Sequence, residues 1–142
     1  MPRTIVVPTD FTPCSQYAAQ YGQLLARRLD ARIFLLHSWN QPYSRWDDAD
    51  DANHVPSKLE LLARTRLDTL VTDARSQQTN AEGLFYLGEA AANILQAVHD
   101  VNADLIIVGT HGRSGLKRVL EGSVAEYVTR RATCPVLAIR HT

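Results

Sequence analysis

The sequence predicts an α/β protein: a single doubly wound domain whose five-stranded parallel sheet carries helices on both faces. Three observations predict it. Short, unbroken runs of branched apolar residues recur, as at 4–7 and 105–108, and such runs suit strands buried on both faces. Segments of helical period alternate with them, which is the pattern of parallel strands joined by crossover helices. The 142 residues contain no internal repeat or low-complexity break, and they suffice for one domain with a substantial core.

Taken in order, residues 4–7 form the first predicted strand, ending at Pro8-Thr9-Asp10. Thr12-Pro13 then opens a helix, with Thr as cap and Pro at the first position. Its predicted buried face is Cys14, Ala18, Tyr21, Leu25 and Leu29, at steps of three and four. Residues 31–37 are the second strand. The insert 40–57, rich in Asp and Asn with Pro near both ends, breaks the pattern. It reads as a solvated, mobile loop; a lid, or a cation site built from Asp47, Asp48, Asp50 and Asp51, is the sharper alternative.

Ser57-Lys58-Leu59-Glu60 has the form of a capping box. It opens a helix with Leu59, Leu62, Leu67, Leu70 and Ala74 predicted inward. A polar connection at 77–80 leads to the third strand at 84–87. Gly88 and Glu89 precede a helix with Ala91, Ile94, Leu95 and Val98 inward. After the fourth strand, 105–108, come Gly109, Gly112 and Gly115 at spacings of three, then a short helical turn, then a helix expected to start at Gly122-Ser123 with Ser123 as its cap. The fifth strand, 136–139, is entered through Cys134-Pro135. Proline cannot donate to a ladder, so this strand suits a sheet edge.

Composition narrows the function. Hydrophobic residues make up 45% and charged residues 21%, as in ordinary soluble domains. Lys+Arg and Asp+Glu are both 15, so no net charge draws the chain to nucleic acid or to a membrane surface. No apolar stretch is long enough to span a bilayer. MPRTIVV shows no hydrophobic export region, so a cytoplasmic location is expected. Cys14 and Cys134 make no CxxC pair. One follows the end of the first strand and the other precedes the fifth. In a parallel sheet a strand of about 17 Å separates such positions, beyond the roughly 7 Å reach of a disulfide, so two free thiols are expected.

The segment LIIVGTHGRSGLKRVLEGSV, residues 105–124, carries the chemistry. Glycines let backbone approach a ligand closely, and a strand running through them toward a helix presents several N–H groups to one anion, most often phosphate. Ordinary strand–helix turn chemistry is the plainer reading of the same glycines. A Walker loop is excluded because Gly115-Leu116-Lys117-Arg118 lacks the GK-Ser/Thr ending. The dinucleotide fingerprint GxGxxG is excluded because the order here is GxxGxxG.

Gly109-x2-Gly112-x9-Gly122-Ser123 resembles the nucleotide-binding signature of the universal stress protein family, ATP-binding branch. The text GTHGRSGLKRVLEGSVAEYV is similar to that family almost residue by residue, and IVVPTDFT, ARIFLLHSW, GLFYLGEAAANIL and CPVLAIR match its other segments in order, so nearly the whole chain is covered. The doubly wound fold class brings strand order 3-2-1-4-5, with ligands at the switch point beyond strands one and four. The resemblance implies ATP, bound with Mg²⁺. Pro8, Thr9, Asp10 and Ser38 would lie on the adenosine side, with Asp10 accepting from ribose or holding the ion. Gly109, Gly112, Gly122 and Ser123 would hold the phosphates through backbone N–H groups and one hydroxyl, Arg113 and His111 would meet the phosphate from the loop, and Val108 and Val124 complete the nucleotide-binding set. Ser38 departs from the branched apolar residue common at that place in the family. Asp10 also reads as a helix cap, Arg113 as a surface charge, and His111 as loop cover. His54, His99 and His141 read as surface residues.

The apolar run 136–139 at a predicted edge invites antiparallel pairing with a second copy, and the resemblance implies a homodimer there too. A loop or the terminal residues covering that edge is the monomeric alternative. No Ser-His-Asp order or paired-carboxylate motif stands out, so binding is better supported than turnover. The leading expectation is therefore an ATP-binding stress-response regulator acting as a nucleotide-gated dimer. A slow ATPase or self-phosphorylating protein, and an interaction protein that binds no nucleotide, are the alternatives.

Overall fold

Parallel strands cannot be joined by tight turns, so each connection in this chain has to travel the length of the sheet. Helices supply those connections. In the computed structural model, which describes residues 2–40, 55–111 and 119–141 and only the backbone of 111 and 119–123, the order is β1 (Thr4–Pro8), α1 (Pro13–Leu29), β2 (Arg32–Trp39), α2 (Lys58–Ser76), β3 (Asn80–Leu87), α3 (Ala90–Val101), β4 (Leu105–His111), α4 (Val119–Arg131) and β5 (Val136–His141). The strands form one parallel sheet in the order β3-β2-β1-β4-β5, as predicted. Most of the insert, residues 41–54, lies outside the described residues.

Strand alternation divides the core in two. On one face Ile5, Val7, Ile33, Leu35 and Ile107 pack under Ala18 and Ala26 of α1 and Leu67 and Val71 of α2. On the other, Val6, Phe34, Leu36, Ile106 and Val108 pack under Ile94 and Ala97 of α3 and Val128 of α4. Ile5, Val6 and Val7 are fully buried, so β1 is covered on both faces. Each such aliphatic side chain contributes about 1.5–3 kcal/mol on leaving water. The carboxylate of Asp104 accepts from the amides of Arg3 and Thr4 at 2.9–3.1 Å, which ties the start of β1 to β4.

The strands run further than the apolar runs that announced them. β3 starts at Asn80 rather than 84, and β2 continues through Ser38 to Trp39, because the two pair residue by residue from Arg32↔Asn80 to Trp39↔Leu87. β4 and β5 likewise pair as far as His111↔His141, so Gly109 is a strand residue and not part of a loop. Ladder partners decide strand length; apolar runs mark only the doubly buried middle.

Two helix faces differ from prediction. In α1, Tyr21 is exposed and Gly22 faces the sheet, where an added Cβ would stand 3.0 Å from Val7. The helix lies too close to the strands for tyrosine at that turn. In α2 the buried face is Glu60, Ala63, Leu67, Val71 and Ala74, while Leu59 and Leu62 are 67% and 58% exposed. Glu60 is the reason apolarity misled: its buried carboxylate lies 3.2 Å from the Arg64 guanidinium, and its amide donates to Ser57 Oγ at 3.1 Å, as the capping motif requires. Leu67, Leu70 and Ala74 face the core as predicted, Leu70 being partly buried.

α4 runs Val119–Arg131, so Gly122 and Ser123 lie inside it and Ser123 is not its cap; residues 112–118 lie outside the described residues. Glycine inside a helix costs about 1 kcal/mol relative to alanine but does not end it. Thr12 caps α1 with Pro13 following, and β5 is an edge strand entered through Pro135. Neither Cys14 nor Cys134 is in a disulfide. His99 is exposed as expected, whereas the ring of His141 is half-buried and 5.3 Å from that of Tyr17.

Candidate functional site

β1 and β4 are neighbours, yet they pair only through Ile5↔Leu105 and Val6↔Ile106. Beyond that point β1 follows β2, with Pro8↔Leu36 and the Thr9 amide donating to the Leu36 carbonyl at 2.8 Å. β4 instead follows β5. The strands therefore part at their carboxyl ends, where the winding of the sheet reverses. A cavity of about 200 Å³ opens there.

Seven of the predicted residues line it: Pro8, Thr9, Asp10, Ser38, Val108, Gly109 and Val124. Gly122 and Ser123 precede Val124 in α4, and His111 ends β4. Gly112 and Arg113 lie outside the described residues. Sequence reasoning missed Ser15, Leu36, Ala90, Ile94 and Ala125 as wall residues. Ala90 opens α3, which follows directly on a strand end, and that position was a usable signal. The cavity is apolar apart from Thr9, Asp10, Ser15 and Ser38. It can take a flat apolar group with hydrogen-bonding functions on its edge.

The turn after β1 is held by side-chain hydrogen bonds. Thr9 Oγ1 and Ser15 Oγ are 3.1 Å apart, and the Phe11 amide donates to Thr9 Oγ1 at 3.1 Å. The Asp10 amide donates to Ser15 Oγ at 3.3 Å. Asp10 Oδ1 accepts from the Thr12 amide at 3.0 Å and from the Thr12 hydroxyl. This is the local capping geometry that competes with ligand binding as an explanation of Asp10, and the carboxylate nevertheless stands on the cavity wall.

His37 ends the predicted second strand, beside Ser38 and near where the family resemblance puts the adenine. It is buried, and its Nδ1 lies 2.8 Å from the Thr9 carbonyl oxygen. A carbonyl only accepts, so Nδ1 carries the proton. Burial lowers the pKa of His37, and Arg66 adds to the lowering; the bond to Thr9 and the charge of Asp10 oppose it.

Gly109 has a packing role that glycine chemistry alone did not reveal. A Cβ there would meet the Cys14 carbonyl oxygen at 2.5 Å, its carbonyl carbon at 3.0 Å and its Sγ at 3.2 Å. The first turn of α1 crosses β4 at this residue, and only glycine admits it. Among the described residues, no group of three or more His, Cys, Asp or Glu is placed to hold a metal ion, and no helix is long and apolar enough to cross a membrane.

Fold and crevice together define a doubly wound α/β protein with a cavity at its switch point. The chain belongs to the universal stress protein family, whose model matches residues 1–140. It is 38% identical over 144 residues to the universal stress protein YxiE of Bacillus subtilis, covering 96% of this chain and 97% of that one. Among solved structures it is similar to the protein MJ0577 of Methanocaldococcus jannaschii, with a TM-score of 0.80, 24% identity, and coverage of 99% and 96%. It is also similar to a universal stress protein in complex with cAMP, with a TM-score of 0.73, 23% identity, and coverage of 99% and 98%.

Proposed function

We propose that this protein is a cytoplasmic nucleotide-binding regulator that takes ATP with Mg²⁺ at the cavity between β1 and β4 and works as a nucleotide-gated homodimer. The observation that carries the reading is the convergence of Pro8, Thr9, Asp10, Ser38, Gly109 and Val124 on one cavity at the sheet's reversal point. The cAMP complex of a relative with this fold supports an adenine nucleotide as the ligand class. The apolar walls suit the base, and Asp10 at the rim suits ribose hydroxyls. The cavity's 200 Å³ is below the roughly 300 Å³ of typical ligand sites, which supports reading it as the adenosine end, with the phosphates toward the start of α4. Mg²⁺ would enter with the phosphates, which supply oxygen ligands of the kind it prefers.

Isothermal titration calorimetry tests this. The parent should bind Mg²⁺-ATP, and Gly122→Val should weaken binding about tenfold, or about 1.4 kcal/mol, by placing a side chain against the phosphates. Unchanged affinity in the variant would overturn the site assignment.

The dimer reading rests on β5. It is an edge strand, and its Leu137 and Ile139 pack against the core while Ala138 is exposed. A two-fold pairing of β5 would bring Ala138 close to its copy. Ala138→Lys should therefore shift sedimentation from dimer to monomer, since like charges facing across strands repel. A parent that sediments as a monomer at micromolar concentration would defeat the claim.

A further inference from the structure

β2 grips Thr9 at both ends of its peptide. The Leu36 carbonyl accepts from the Thr9 amide, and His37 Nδ1 donates to the Thr9 carbonyl, each at 2.8 Å. Leu36 and Ser38 line the cavity, and alternation along the strand turns His37 to the opposite face. His37 therefore stands behind the site. The turn it holds contains Phe11 at φ 66°, in the left-handed region that a bulky residue occupies only when its surroundings impose it. Those surroundings include His37 itself, whose ring stacks on Phe11 with centroids 4.4 Å apart, and Arg66 of α2, whose guanidinium lies 4.5 Å from the Phe11 ring. Phe85 of β3 stands 5.5 Å from the His37 ring and carries Arg64 over it at 4.1 Å. The turn after β1 and strand β3 thus converge on one imidazole, with α2 packed behind their rings, and that imidazole's polar contact is with the backbone that leads into Asp10.

We propose that His37 is a positioning residue: its Nδ1–H fixes the Thr9 carbonyl and thereby the strained turn that presents Asp10 to the ligand. The inference rests on the nucleotide reading only for the identity of that ligand. A buried carbonyl stripped of its donor loses a partner that nothing apolar replaces, so the turn should relax when the donor is removed even if ring volume is kept.

The test compares His37→Leu, which removes the donor, with His37→Asn, whose side-chain amide donates from nearly the place of Nδ1. In the parent, nitrogen NMR at neutral pH should find a neutral ring with its proton on Nδ1. The amides of Asp10, Phe11 and Thr12 should exchange about tenfold faster in His37→Leu, while α3 amides keep their rates, and His37→Asn should restore the turn. Mg²⁺-ATP affinity should fall about tenfold in His37→Leu and stay within about threefold of the parent in His37→Asn. A proton on Nε2, or equal losses of turn protection in both variants, would overturn the proposal. So would a leucine variant with parental protection. A parent that binds no ATP would sink the nucleotide reading, and the tautomer and exchange results would still decide the role of His37. Should His37→Leu fail to fold, the parent tautomer and the asparagine variant decide it.

Discussion

Gly109→Val is expected to destabilise the fold by about 3 kcal/mol, the upper range for forcing atoms into a packed site. The first atom of any side chain at 109 lands 2.5 Å from the Cys14 carbonyl oxygen. That oxygen is backbone at the start of α1, and it cannot swing aside as a side-chain tip can. Cys14 is itself buried and α1 is pressed onto the sheet through Ala18 and Gly22, so relief requires moving the helix. For a chain of this size the loss corresponds to a fall of roughly 10 °C in melting temperature. Denaturant unfolding should show a lower midpoint with unchanged slope, and Gly109→Ala should already lose part of the stability, because its methyl is the clashing atom. A valine variant as stable as the parent would show that α1 does not cross β4 this closely. The experiment also separates two roles. A glycine needed only for close approach of phosphate would tolerate alanine in the absence of ligand.

Most of the fold was legible in the sequence because its signals are local. The apolar runs Ile5-Val6-Val7 and Ile106-Ile107-Val108 are doubly buried strands, and nothing else in the chain needs such runs. Thr12-Pro13 marked a helix start, and Pro135 marked an edge strand. What was not legible depends on partners distant in sequence. The N-terminal half of β3, Asn80 to Gly83, lacks an apolar pattern and is a strand because β2 offers it a ladder. The burial of Glu60 follows from Arg64 and the placement of α2, and a rule that turns leucines inward chose Leu59 and Leu62 instead. Gly22 reads as a neutral position until the helix–sheet distance is known.

The site divides the same way. The strand-end residues that line the cavity, from Pro8 to Asp10 and at Val108-Gly109, could be named as candidates because topology and glycine spacing point to one place. The walls contributed by helix interiors, Ile94 and Ala125, carry ordinary core residues, so no local chemistry distinguishes them. His37 sits one residue from Ser38, and its role is set by a bond to a residue 28 positions away. A lone histidine in an apolar strand shows no such partner in the sequence.

ATP at a hundredfold excess over its dissociation constant is expected to raise the unfolding free energy by about 2.7 kcal/mol. Hydrolysis should meanwhile run far below the typical enzyme turnover of about 10 per second. Both halves follow from the chemistry of the crevice. Binding needs walls and hydrogen-bonding groups, and the cavity between β1 and β4 has them. Turnover needs a base held against a water or hydroxyl nucleophile. The two obvious candidates near the crevice already have other work: His37 donates its Nδ1–H in a hydrogen bond to the Thr9 carbonyl, and Asp10 accepts from the Thr12 amide and hydroxyl to hold the turn. His111, at the end of β4, is the remaining group to test. Thermal melts across an ATP series give the first half, and single-turnover assays of the parent, Asp10→Asn and His111→Ala give the second. Rapid hydrolysis by the parent, abolished in either variant while ATP still stabilises it, would make this protein an ATPase and overturn the regulator reading. A melting temperature indifferent to ATP would remove the nucleotide altogether.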